Sequence, residues 1–125
     1  MSKKIMIVDD TVDTVGMVKK FLETEGYDTL EANNGKDALE ILKKEEVKPD
    51  LILLDMFMPE MSGREVCEQI RSDDDLKDLK VAFFTVAAFR EKGKKMLEEL
   101  NVSDYITKPF DIDDLLKRVK KIVGE

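Results

Sequence analysis

Two apolar runs in this chain end in acids. Ile5-Met6-Ile7-Val8 is followed by Asp9 and Asp10, and Leu51-Ile52-Leu53-Leu54 by Asp55. A carboxylate at the C-terminal end of a buried strand is not a packing residue, and two such ends point to one crevice where negative charge is collected. Carboxylates gathered in one cleft repel each other, so something positive must stabilise them. Oxygen ligands without histidine or thiolate suit Mg²⁺ or Mn²⁺, and Mg²⁺ prefers one or two carboxylates, several waters and a phosphate oxygen. Asp9-Asp10 alone would serve equally well to cap a following helix; Asp55 opposite favours the metal. Asp55 is then either a ligand only or a nucleophile that accepts a phosphoryl group. Thr85 follows the run Val81-Ala82-Phe83-Phe84, where its hydroxyl can donate to a phosphoryl oxygen. Lys108 precedes Pro109 in Tyr105-Ile106-Thr107-Lys108-Pro109-Phe110, a turn that would aim an ammonium back over the sheet edge. Carboxylate, metal, hydroxyl and ammonium together make a phosphoryl-transfer site, with metal and Lys108 offsetting charge on the equatorial oxygens while Asp55 attacks in line.

Composition narrows the chemistry further. The chain has 125 residues, the length of one ordinary domain, and no histidine, which removes Ser-His and Cys-His nucleophile pairs and imidazole metal sites. Neither a G-x-x-x-x-G-K-[ST] nor a G-x-G-x-x-G loop occurs, so ATP is not the expected direct donor; a phospho-residue of another protein or a small phosphorylated molecule is. The net charge of -7 argues against a general nucleic-acid binder. The single Cys67 forms no intrachain disulfide and fits a reducing compartment. No stretch approaches membrane length, and a cytoplasmic location is expected.

These residues need a scaffold, and the hydrophobic pattern supplies one. It predicts strands over Lys4 to Val8, Tyr27 to Ala32, Asp50 to Leu54, Leu79 to Phe84 and Val102 to Ile106. Between them it predicts helices. The first is N-capped by Thr11, with Val12, Val15, Val18, Phe21 and Leu22 on one face and an end at Gly26; the second starts at Gly35, with Ala38, Leu39 and Leu42 inward, and stops before Pro49. A third runs from Arg64 to Arg71, a fourth over Arg90 to Leu100 and a terminal one over Ile112 to Val123. Asp73-Asp74-Asp75 imitates a metal loop but reads as a solvated turn. Successive strand–helix units imply a parallel sheet covered on both faces, with ligands beyond the carboxyl ends of the strands.

In these segments the chain resembles the receiver domains of two-component response regulators. The resemblance is carried by Ile7-Val8-Asp9-Asp10, by Leu53 to Gly63, by Phe84-Thr85-Val86-Ala87 and by Tyr105 to Phe110, in order and at the expected strand ends. It implies a flavodoxin-like, doubly wound (βα)5 sandwich with a five-stranded parallel sheet of order 2-1-3-4-5, and one receiver domain over residues 1–125 with no effector domain. It implies that Asp55 takes a phosphoryl group from a histidine kinase or phosphotransfer protein. Asp10 and Asp55 would bind Mg²⁺ (or Mn²⁺) directly, the Phe57 backbone carbonyl would be a further ligand and Asp9 would act through a water. Thr85 and Lys108 would contact the phosphoryl group, and Tyr105 would be the aromatic switch that alters the face of the fourth helix, fifth strand and fifth helix. Such a protein is no enzyme beyond its own phosphorylation and slow dephosphorylation. Its partners are the kinase and a downstream protein, with neither nucleic acid nor membrane bound directly, as a monomer or a weak, phosphorylation-dependent homodimer.

Three departures carry expectations of their own. Val86 stands where the family usually has Ala or Gly, and the bulky Phe57 lies two residues after Asp55, so slow loss of the phosphoryl group is expected. Lys94 with Asp114, and Asp104 with Arg118, match charged pairs of a known dimer face, but Lys95 and Glu98 replace its aliphatic residues. The other readings are a haloacid-dehalogenase-like phosphatase, a receiver-like module that is never phosphorylated, and a flavodoxin-like cofactor binder. The first places its nucleophile on the first strand, the second has no need of five intact site residues, and the third would set acids against a flavin phosphate.

Overall fold

Alternation along the strands sorts the apolar residues onto two faces of one sheet. In the computed structural model, which describes residues 3–86, 95, 98–108 and 110–124 (Thr85 and Val86 as backbone only), the strands are β1 (Lys4–Val8), β2 (Asp28–Ala32), β3 (Leu51–Asp55), β4 (Val81–Val86) and β5 (Asp104–Lys108). The helices described over their full length are α1 (Val12–Thr24), α2 (Gly35–Lys44), α3 (Gly63–Ser72) and the terminal α4 (Ile112–Val123). All strand pairs are parallel, in the order β2-β1-β3-β4-β5. This is the flavodoxin-like arrangement that the resemblance implied. Met6, Val8, Ile52, Leu54, Val81 and Phe83 face α2 and α3, meeting Ala38, Leu42, Val66, Cys67 and Ile70. Their neighbours Ile5, Ile7, Leu51, Leu53, Ala82 and Phe84 face α1 and α4, meeting Val15, Val18, Leu22, Leu115, Val119 and Val123. Strand β3 is buried at every position, as a central parallel strand covered on both sides should be.

Helix ends follow local chemistry. Ser62 and Glu65 close a capping box at the start of α3, a signature written in the sequence as Ser-x-x-Glu and passed over in predicting a start at Arg64. Asn34 accepts from the Asp37 N–H to cap α2, and Asp111 caps α4. Gly26 (φ 94) ends α1 as expected, its N–H donating to Glu23 while Tyr27 N–H reaches Leu22 O, the paired bonds of a left-handed helix stop. Thr11 does occupy the N-cap position of α1, but its side chain makes no capping bond.

Other boundaries differ from those expected. Val12 is 70% exposed rather than inward. At 3.6 residues per turn, Val15, Val18 and Leu22 fall within about 60° of each other, while Val12 and Phe21 lie on opposite flanks of that stripe. Strands β4 and β5 both begin two residues later than predicted, at Val81 and Asp104. The apolar Leu79 and Val102 lie in turns instead. Arg71 explains much of this: its guanidinium donates to the carbonyls of Lys77, Leu79, Leu100 and Asn101, at 2.7–3.1 Å, holding both turns outside the ladder. The acidic connector is the solvated turn expected of it, with Asp75 N–H on the Asp73 carboxylate. The helix expected over Arg90 to Leu100 falls mostly outside the described residues, although Lys95, Glu98 and Glu99 are helical.

Gly63 has a steric role. A Cβ on Gly63 would lie 2.2 Å from the Asp55 carbonyl oxygen and 2.8 Å from Met56 Cα, so the start of α3 presses directly on the backbone behind Asp55. Gly63→Ala is expected to lower stability by at least about 1–3 kcal/mol, the usual range for overpacking, because both contacts are backbone and neither can swing aside. A urea denaturation series against wild type checks this; an unchanged midpoint would contradict it.

Candidate functional site

The sheet brings the predicted acids together. Val8 is level with Leu54, so Asp9 and Asp55 leave adjacent strands side by side. Oxygens of Asp9, Asp10 and Asp55 all lie within 4.8 Å of one another. Their environments differ: Asp9 is fully buried, Asp55 is nearly so and Asp10 is exposed. Two of the acids are oriented by the same local device, a bond to the backbone N–H two residues on. Asp9 Oδ1 accepts from Thr11 N–H at 2.9 Å, and Asp55 Oδ1 from Phe57 N–H at 3.2 Å. Asp9 therefore shapes the turn into α1, which is part of what the capping reading anticipated, while remaining in the cluster.

Lys108, the last residue of β5, reaches across the sheet edge. Its Nζ lies 2.7 Å from Asp9 Oδ2 and 3.7 Å from Asp55 Oδ1. It is also 5.7 Å from the centre of the Phe84 ring, which stacks on Phe110 at 5.2 Å. The lysine thus has an aromatic wall on one side and acids on the other. Both rings belong to the segments that carry the resemblance, but the sequence reading gave neither a role of its own.

One lysine is too little for three acids. Burial pushes the Asp55 carboxyl up to about 7, helped by the charge of Asp9 and by a hydrogen bond with the Asp10 side chain, against the opposing pull of Lys108 and the Phe57 N–H. The cleft therefore disfavours a charged Asp55 carboxylate, and its all-oxygen donor set fits a hard divalent cation.

The remaining site residues are placed by register. Asp55 pairs with Phe84, so the Thr85 backbone is one residue beyond the level of Asp55 on β4. Its side chain, that of Val86, and Pro109 lie outside the described residues. Tyr105 is half-buried on β5, against the core beneath α2 and α3. Phe57 is 46% exposed beside the acids. Arg118 holds both Asp104 (2.7 Å) and Asp114 (2.8 Å) within the same chain, and Lys94 lies outside the described residues. None of the helices among the described residues is long and apolar enough to cross a membrane.

Comparison with known proteins identifies the family and the fold. The sequence profile of the response regulator receiver domain matches residues 5–120. The chain is 40% identical, over 98% of its length, to the alkaline phosphatase synthesis transcriptional regulatory protein PhoP of Bacillus subtilis, of which it spans about half (49%). It is 33% identical to the polar-differentiation response regulator DivK of Brucella anthropi, covering 100% of this chain and 99% of that one. Among solved structures, the chemotaxis protein CheY4 of Vibrio cholerae superposes with a TM-score of 0.88 at 28% identity, covering 98% and 99% of the two chains.

The raised Asp55 carboxyl predicts a pH dependence for the metal-free protein. Its pKa is 3.8 ordinarily and about 7 in the fold, so between those values the folded state binds extra protons. Stability in chelator is expected to be greatest at the acid end of that window, as far as Asp55 is concerned, and to fall as pH rises through about 7. Asp55→Asn is expected to flatten this slope and raise the melting temperature at neutral pH and above. Thermal melts across the window, with and without the substitution, check both; identical slopes would contradict the assignment.

Proposed function

This chain belongs to the response regulator receiver domains of two-component systems, and on that footing we propose that Asp55 is its phosphoacceptor, fed by a histidine kinase or phosphotransfer protein. The observation that carries the reading is the cluster itself: three acids within 4.8 Å, with Lys108 bridging two of them, at the carboxyl edge of one parallel sheet. Phosphorylation and Mg²⁺ binding are characteristic of the family. Asp10, Asp55 and the Phe57 carbonyl would hold Mg²⁺ here, with Asp9 acting through a water. When bound, the ion supplies positive charge to the transferring phosphoryl oxygens.

The chain's own residues do the rest. The Asp55 carboxylate attacks phosphorus in line; the new P–O bond forms as the donor's P–N bond breaks and its electron pair returns to the imidazole nitrogen. Lys108, held by Asp9 and walled by Phe84, needs only a short swing to pair with the arriving phosphoryl oxygens, which add about two negative charges. The Thr85 hydroxyl donates to another of those oxygens. Tyr105 follows on the adjacent strand and changes the surface that β5 and α4 present. The output is contact with a downstream protein. The module has no catalytic turnover of its own beyond gaining and slowly losing the phosphoryl group.

Incubation with a radiolabelled phosphohistidine donor and Mg²⁺ is expected to label the wild type, and chelator or Asp55→Asn to abolish labelling. Equal labelling of Asp55→Asn would overturn the site. Phe57, exposed beside the acids, together with Val86, should obstruct the water that hydrolyses the acyl phosphate. The purified phosphoprotein is therefore expected to hold its label well beyond seconds and Phe57→Asn to shorten that lifetime; decay within seconds in wild type would contradict this.

A further inference from the structure

Lys108 must stand at the right height on β5, and β5 does little to fix its own height. It is an edge strand, paired only with β4, and of its five residues only Ile106 is fully buried. A strand with so few buried side chains specifies its register weakly. The rise is about 3.3 Å per residue, so even a fraction of one step would pull the Lys108 ammonium away from Asp9.

The entries to β4 and β5 are joined at the opposite end of the sheet by Arg71. From the last turn of α3, its Nε donates to Leu100 O (2.7 Å) and its Nη2 to Asn101 O (3.1 Å), both in the turn before β5. Its Nη1 donates to Lys77 O (2.9 Å) and Leu79 O (2.7 Å), in the turn before β4. Asn101 adopts φ 53, a left-handed conformation that costs a non-glycine residue energy and is kept here beside the guanidinium. Beside its ladder to β4, β5 is tied by Ser103 N–H to Val81 O, and by Asp104 to Arg118, which fixes the strand against α4 rather than β4. Among the described residues, the planar fork of Arg71 joins one strand entry to the other.

We propose that Arg71 is a positioning residue for Lys108, holding β4 and β5 in the alignment that delivers the ammonium to Asp9 from the far end of the sheet. A lysine cannot replace it, since a single ammonium on a flexible stem does not span two turns as a guanidinium does.

The test is a thermal double-mutant cycle on the metal-free protein: Arg71→Gln, Lys108→Met, and both together. If Arg71 acts through Lys108, its substitution costs several degrees less in the Lys108→Met background than in wild type. Additive losses would overturn the proposal. If Lys108→Met does not fold, Asp9→Asn removes the same ion pair and completes the cycle. A second arm rests on the phosphoacceptor reading. Arg71→Lys is expected to slow phosphorylation by a small-molecule phosphodonor about tenfold or more, at a temperature where the variant is fully folded. Ile70→Val, a core change in the same helix, is the control for lost stability. Equal rates for the two variants would count against positioning. Failure of the wild type to take up phosphate would instead overturn the function and leave the thermal cycle standing.

Discussion

The structure depends on how it accommodates a wholly buried carboxyl group. Asp9 has no access to solvent, and a buried ion is tolerated only when paired and hydrogen-bonded. Thr11 N–H and Lys108 Nζ provide the pairing, and each comes from a different part of the chain. That single requirement fixes much else. The turn into α1 must present its amide, β5 must end at the level of the acids, and Phe84 must wall the ammonium so that it faces them. Asp55, set beside the same lysine at a longer distance, receives only part of its charge. The cleft is therefore tense in one direction: it gains by taking up a proton or a cation.

Close approach is the second constraint. The loop from Met56 to Ser62 turns back so sharply that α3 begins against the Asp55 peptide itself, with Gly63 N–H on Met56 O. Nothing larger than hydrogen fits at that position. Glu60, with φ 69, takes up part of the bend. The loop is thus compact where it passes behind the acid and exposes Phe57 where it passes in front.

The sequence made some of this legible and hid the rest for physical reasons. Central strands announce themselves, because burial on both faces leaves unbroken apolar runs such as Leu51 to Leu54. An acid that ends such a run is conspicuous, which is why Asp9, Asp10 and Asp55 could be grouped before any geometry was known. Strand starts were less visible. Leu79 and Val102 are residues of strand type, but the carbonyls of Leu79 itself and of Leu100 and Asn101 before Val102 are claimed by a distant arginine, and no local pattern encodes that. Val12 was placed on one face with Val15 and Val18, although its angle on the helix puts it at the rim of that face. The role of Phe84 and Phe110 was hidden too, since an aromatic that shields a lysine is indistinguishable in sequence from one that fills a core.

Arg118 has a consequence for self-association. Within one chain it already holds Asp104 on β5 and Asp114 one helical turn away, and those same residues match a pairing expected between copies. A second copy offering the same charges would therefore offer substitution, one ion pair opened for each one closed. Such an exchange of like for like yields almost no enthalpy, while association still costs translational and rotational freedom. These charges would act as a template for how two copies align rather than as the adhesive between them, and the affinity of any dimer would have to come from the apolar surface it covers.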